Sequence, residues 1–150
     1  MSIEKHMEQQ NLDKYSFLWS EARLAIGAIA LFMGGVPPVY ALLPFVGLYG
    51  IVGKLLGLAW IISGVAAGYL FYRWYTGGQK LFGAKNQNDM GAFLVMVVTG
   101  FNLGFAGLFG KNIGFSISSN YNLLVVVGLL YLATAGYLYQ RWSSHGQKLF

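Results

Sequence analysis

Tyr121-Asn-Leu-Leu-Val-Val-Val-Gly-Leu-Leu-Tyr-Leu-Ala-Thr-Ala-Gly-Tyr-Leu-Tyr-Gln140 carries no charge and closes on Arg141-Trp142. A helix needs about 20 largely apolar residues to cross a hydrocarbon core of about 30 Å, so this run predicts a membrane span. It lacks the period-2 alternation of a barrel strand, which favours helix. Outward from it, residues 24–53, 55–72 and 90–110 are also free of charge. Four spans are predicted: Ser20–Val36, Gly53–Tyr75, Asp89–Phe109 and Tyr121–Trp142.

The whole chain agrees. Its 150 residues are 56% hydrophobic and only 10% charged, with 21 Gly and no Cys. A water-facing surface needs about 25–35% Lys, Arg, Glu and Asp, so an ordinary soluble domain is excluded. The absence of Cys excludes disulfides, Fe–S clusters and thiolate zinc sites. The expected class is an all-α integral membrane protein, a small bundle of four transmembrane helices.

The run ends in a motif that occurs twice. Gly68-Tyr-Leu-Phe-Tyr-Arg-Trp-Tyr-Thr-Gly-Gly-Gln-Lys-Leu-Phe82 aligns without gaps on Gly136-Tyr-Leu-Tyr-Gln-Arg-Trp-Ser-Ser-His-Gly-Gln-Lys-Leu-Phe150, identical at ten of fifteen positions. Projected upstream at the same offset of 68, Ser20-Glu21 falls over Asn88-Asp89. The predicted organisation is therefore a segment 1–19 followed by two tandem helix hairpins, 20–83 and 84–150. Each has two spans, so the repeats enter the membrane in parallel rather than inverted. Arg73 and Arg141 suit a helix C-terminus and phosphate headgroups. Trp74 and Trp142 suit the interface, and Gly77, Gly78 and Gly146 stop the helix. Lys80-Leu81-Phe82 and Lys148-Leu149-Phe150 are expected to lie back on the membrane with the lysine snorkelling, or to dock a partner.

Ser20 is the expected N-cap of the first span, with Glu21 at its positive end and Arg23 near the headgroups. Residues 1–19 lack a signal-peptide pattern. Pro37-Pro38 should end that helix, leaving Val39–Gly50 as an apolar lid; a kinked helix continuing to Leu43 is the alternative. Eight of the ten Lys and Arg fall on one side of a four-span topology, leaving Lys54 and Lys111 opposite. The positive-inside rule then places both termini in the cytoplasm, at the inner membrane of the cell. The formal net charge of +5 reads as topology and attraction to anionic headgroups, not as a nucleic-acid surface.

Catalytic chemistry is thinly provided. His6 and His145 lie outside the spans, and no His-ligand cluster or nucleophile elbow occurs. Thr99 and Asn102 are the polar residues inside the third span. Gly64-Val-Ala-Ala-Gly68 and Gly100-Phe-Asn-Leu-Gly104 are small-xxx-small patterns that let helices approach closely. The expected function is a non-enzymatic structural or accessory subunit, without cofactor. Its partners would be the bilayer and either a second copy or a larger membrane complex. The alternative is an oligomeric channel or small transporter with Asn102 and Thr99 lining a polar path.

Overall fold

Backbone polar groups that lipid cannot satisfy must pair within the chain. The computed structural model, which describes residues 2–43 and 45–150, meets this with helices. Helix α1 spans Ser2–Phe32 and is followed by two short 3-10 turns, Pro38–Leu42 and Val46–Leu48. Then come α2 (Tyr49–Thr76), α3 (Gln87–Phe109), the five-residue α4 (Ile113–Ile117) and α5 (Tyr121–Ser144). No strand occurs among the described residues; Leu81 and Ala84 form one isolated bridge.

Three elements are long and apolar enough to cross a membrane: Val46–Thr76, Gln87–Phe109 and Tyr121–Ser144, with hydropathies of 1.8, 2.0 and 1.7. The first helix departs from expectation at both ends. It begins at Ser2, not Ser20, because residues 2–19 contain no Gly or Pro and are rich in helix formers. Ser20 is thus a buried mid-helix residue, not a cap. The helix stops at Phe32 rather than Val36, where Gly34 and Gly35 take left-handed φ ahead of the prolines. It does not continue through Pro37-Pro38. The cap of α3 is Asn86, whose side chain accepts from the backbone N–H of Asn88 at 2.8 Å and of Asp89 at 3.4 Å.

The long helices run alternately up and down, with α2 packed most extensively on α3 and α1 on α5. Glycine makes the first seam possible. A Cβ on Gly64 would lie 2.7 Å from the Gly104 Cα, and one on Gly104 would lie 2.8 Å from the Gly64 Cα. Gly100 is equally close to Ala67, and Gly107 to the Gly57 carbonyl. Gly68, expected in the same role, meets only the Phe101 ring at 3.6 Å, an ordinary contact. Across the other seam, Gly128 accommodates the Phe32 ring. The apolar core gathers around Phe17, Phe93, Trp74, Trp142, Leu70 and Leu138.

Gly64→Ala and Gly104→Ala should therefore each destabilise the protein by about 1–3 kcal/mol, as overpacking typically does, and so lower its melting temperature in detergent. Gly91→Ala and Gly136→Ala, where a Cβ meets open space, should leave it unchanged or slightly raised. The same response from all four would contradict a glycine seam.

Candidate functional site

An arginine on an apolar helix needs a counter-charge. Both motif arginines have one. The Arg73 Nε donates to Asp13 Oδ1 at 2.8 Å and its Nη2 to Oδ2 at 2.7 Å, while the Tyr69 hydroxyl donates to Oδ1 at 2.8 Å. On the other side, the Arg141 Nε donates to Asp89 Oδ1 at 2.9 Å, its Nη2 to Oδ2 at 2.7 Å, and the Tyr137 hydroxyl to Oδ1 at 2.7 Å. The two clusters match atom for atom. Bidentate guanidinium–carboxylate pairs fix orientation as well as charge. Each ties the end of a descending helix to the start of the ascending helix before it.

Aromatic contacts then cross between the halves. Trp74 on α2 packs against Phe93 on α3, with ring centroids 5.8 Å apart, and Trp142 on α5 against Phe17 on α1 at 5.4 Å. The Arg73 guanidinium lies over the Phe150 ring at 5.4 Å, and Arg141 over the Phe82 ring at 5.3 Å. The Phe82 backbone N–H donates to the Leu149 carbonyl at 2.9 Å. So each Gly-Gln-Lys-Leu-Phe segment covers the arginine of the other. The turns that deliver them also match: Gly78 and Gly146 take left-handed φ of 79° and 65°, which glycine adopts without strain. The following Gln79 and Gln147 donate their N–H groups to the carbonyls of Trp74 and Trp142.

These contacts correct the expected roles of the motif. Arg73 and Arg141 are ion-paired in the chain, Trp74 and Trp142 are buried, and Leu81 and Leu149 turn into the bundle end instead of lying on the membrane. Lys80 and Lys148 remain exposed. Glu21 and Arg23 are not at a helix end either. Asp13 marks that level, and Arg23 lies ten residues further in, about 15 Å along the axis. Its Nη2 donates to the Met96 carbonyl at 2.6 Å and its Nη1 to the Thr99 hydroxyl at 2.9 Å. Both side chains are buried, and Arg23 Nε and Glu21 Oε1 lack partners among the described residues. Asn102 faces a different neighbour. Its amide N–H donates to Asn112 Oδ1 and its oxygen accepts from the Ile113 N–H, both at 2.9 Å, so it anchors the loop after α3. Thr99 and Asn102, three residues apart on α3, therefore bond to different partners.

The acids of the two clusters were hidden by a length difference. Asp13 and Arg73 are 60 residues apart, Asp89 and Arg141 only 52. A gap-free projection therefore set Glu21, not Asp13, against Asp89. The available signal was the short pattern Asp13-Lys-Tyr-Ser-Phe17-Leu18, repeated as Asp89-Met-Gly-Ala-Phe93-Leu94. Among the described residues no group of three His, Asp or Glu could hold a metal. The His6 side chain lies outside the described residues, and the His145 ring meets the Phe82 ring at a tilt of 44°. No protein family, no curated protein and no solved structure matches the chain.

Asp89→Ala and Arg141→Ala should each lower the melting temperature, and the double variant should be no less stable than the worse single one. Additive losses would show that the two side chains do not act as a pair. Asp89, fully buried, should be more sensitive than Asp13, whose side chain is 11% exposed.

Proposed function

We propose that the chain is a non-enzymatic membrane protein of four transmembrane helices, built from two parallel hairpin repeats and serving as a structural or accessory subunit. Both termini lie on the cytoplasmic side of the cell's inner membrane. Helix α1 is the fourth span. From Lys14 to Phe32 it covers about 28 Å at 1.5 Å per residue, close to a hydrocarbon core. It is matched to α5 at both ends, by Phe17 on Trp142 and by the Tyr121 hydroxyl donating to the Phe32 carbonyl at 3.0 Å. Its charged Glu21 and Arg23 are buried between helices, which lowers its hydropathy without exposing charge to lipid.

The observation that carries this reading is the use of the motif's polar side chains. Asp13, Tyr69, Arg73, Asp89, Tyr137 and Arg141 are all consumed in holding helix ends together. Asn102 is likewise engaged by its own loop. A conduit has one observation in its favour: Glu21 and Arg23 are buried well inside the bundle and only partly paired. Intramembrane ionisable groups often mark ion or substrate paths.

Purified protein in liposomes should show no ion or small-solute flux above empty controls, and Asn102→Leu should leave it so. The complex extracted in mild detergent should exceed the mass of one 16.5 kDa chain. Flux that Asn102→Leu or Arg23→Gln abolishes would overturn the structural reading. Single cysteines at Ser2, Ser116 and Ser144 test the orientation: only residue 116 should react with an impermeant thiol reagent in intact cells.

A further inference from the structure

Helix α1 is polar where it faces the bundle and apolar where it faces outward. Asp13, Ser20, Glu21 and Arg23 are buried, whereas Trp19, Ile26, Ile29 and Met33 stand exposed. Four of the seven buried polar or charged side chains among the described residues lie on α1, and α2, α3 and α5 carry one each. The outward face suits lipid, but the helix as a whole does not. The three elements apolar enough to cross a membrane contain α2, α3 and α5, and not α1.

Comparison of the two ascending helices locates the difference. Ser20, Glu21 and Arg23 stand seven, eight and ten residues beyond Asp13, as Met96, Val97 and Thr99 stand beyond Asp89. Equivalent positions thus hold three polar side chains in α1 and a far more apolar set in α3. One equivalent pair meets directly: Arg23 Nη1 donates to the Thr99 hydroxyl at 2.9 Å, while Nη2 donates to the Met96 carbonyl at 2.6 Å. Gly100 keeps that place open, since a Cβ there would lie 3.2 Å from Nη2. Trp19 on α1 likewise donates its indole N–H to the Ser63 hydroxyl on α2 at 2.9 Å. Each of these acceptors belongs to a later helix, and the Met96 carbonyl follows Arg23 by 73 residues.

We infer that α1 is a conditional span, which crosses the membrane by docking Arg23 onto residues 96–100 of α3 and not by its own hydropathy. This rests on the four-span reading above. An arginine at the centre of a lone helix lowers insertion about 100-fold. Once docked, the guanidinium exchanges hydrocarbon for a carbonyl and a hydroxyl, and the apolar face of α1 alone meets lipid. Thr99 and Gly100 are then positioning residues for α1, acting through Arg23. Because α2 starts on the side where α1 ends, its placement depends on the same contact.

The test is labelling of the full chain in intact cells with an impermeant thiol reagent, measured against total thiol after solubilisation. Where α1 has crossed, Val36→Cys labels and Ser2→Cys does not. Thr99→Leu, which removes the acceptor and fills its place, should lower the ratio of crossed to uncrossed chains about tenfold. Arg23→Leu alone should leave crossing complete, and added to Thr99→Leu it should restore crossing. Ser116→Cys, beyond α3, should label equally in every variant. Unchanged crossing in Thr99→Leu, loss of crossing in Arg23→Leu, or no restoration in the double variant would each overturn the inference. So would a fall at residue 116 that matches the fall at residue 36, because the substitution would then have disturbed the whole chain. Failure of the membrane reading is separate: without Thr99→Leu or Arg23→Leu, residue 36 would stay unlabelled, or alkaline carbonate would release the protein without detergent.

Discussion

A guanidinium on an apolar helix must bring its counter-charge with it, and the rest of this architecture depends on how Arg73 and Arg141 do so. Each takes a carboxylate in bidentate geometry, with a tyrosine hydroxyl on the same oxygen as Nε. Such a pair fixes the axial register of two helices, since a shift of one residue would move the carboxylate about 1.5 Å and break the fork. Register then carries the aromatic layer with it. Phe17 and Phe93, one helical turn beyond each aspartate, meet the tryptophan that follows the arginine of the opposite half. The Phe150 and Phe82 rings close over the guanidinium groups from the other side.

Away from that end, a different force holds the helices. Lipid gives no hydrophobic incentive to associate, so contact must come from close packing. Gly64 and Gly104 let the backbones of α2 and α3 meet directly. Gly100 has a second consequence: a Cβ there would lie 3.2 Å from Arg23 Nη2. The absence of a side chain therefore also makes room for the buried guanidinium, which reaches the Met96 carbonyl and the Thr99 hydroxyl. One glycine serves both the seam and the buried cation.

The helical class and the later helix boundaries were legible because long charge-free runs leave little choice in lipid. Helix α3 was expected to end at Phe109 and does. Helix α1 was misjudged because polarity marks where a membrane begins, whereas Gly and Pro mark where a helix stops. Gly64 and Gly104 were found by spacing alone; whether Gly68 faced a backbone or a ring was not encoded in that spacing. The arginines, tryptophans and phenylalanines of the motif were visible as a repeated word. Their partners were not, since ion pairing across 60 and 52 residues depends on loop lengths that a constant offset conceals.

Aromatic and cation–π contacts at the arginine end join residues 1–83 to residues 84–150, and separating the two segments tests those contacts most directly. Residues 1–83 and 84–150 would be expressed together as two chains, one tagged, and the tagged fragment purified in mild detergent. The expected result is a one-to-one complex that is lost when Trp74 and Trp142 are both replaced by alanine. Fragments that purify apart, each folded alone, would contradict it.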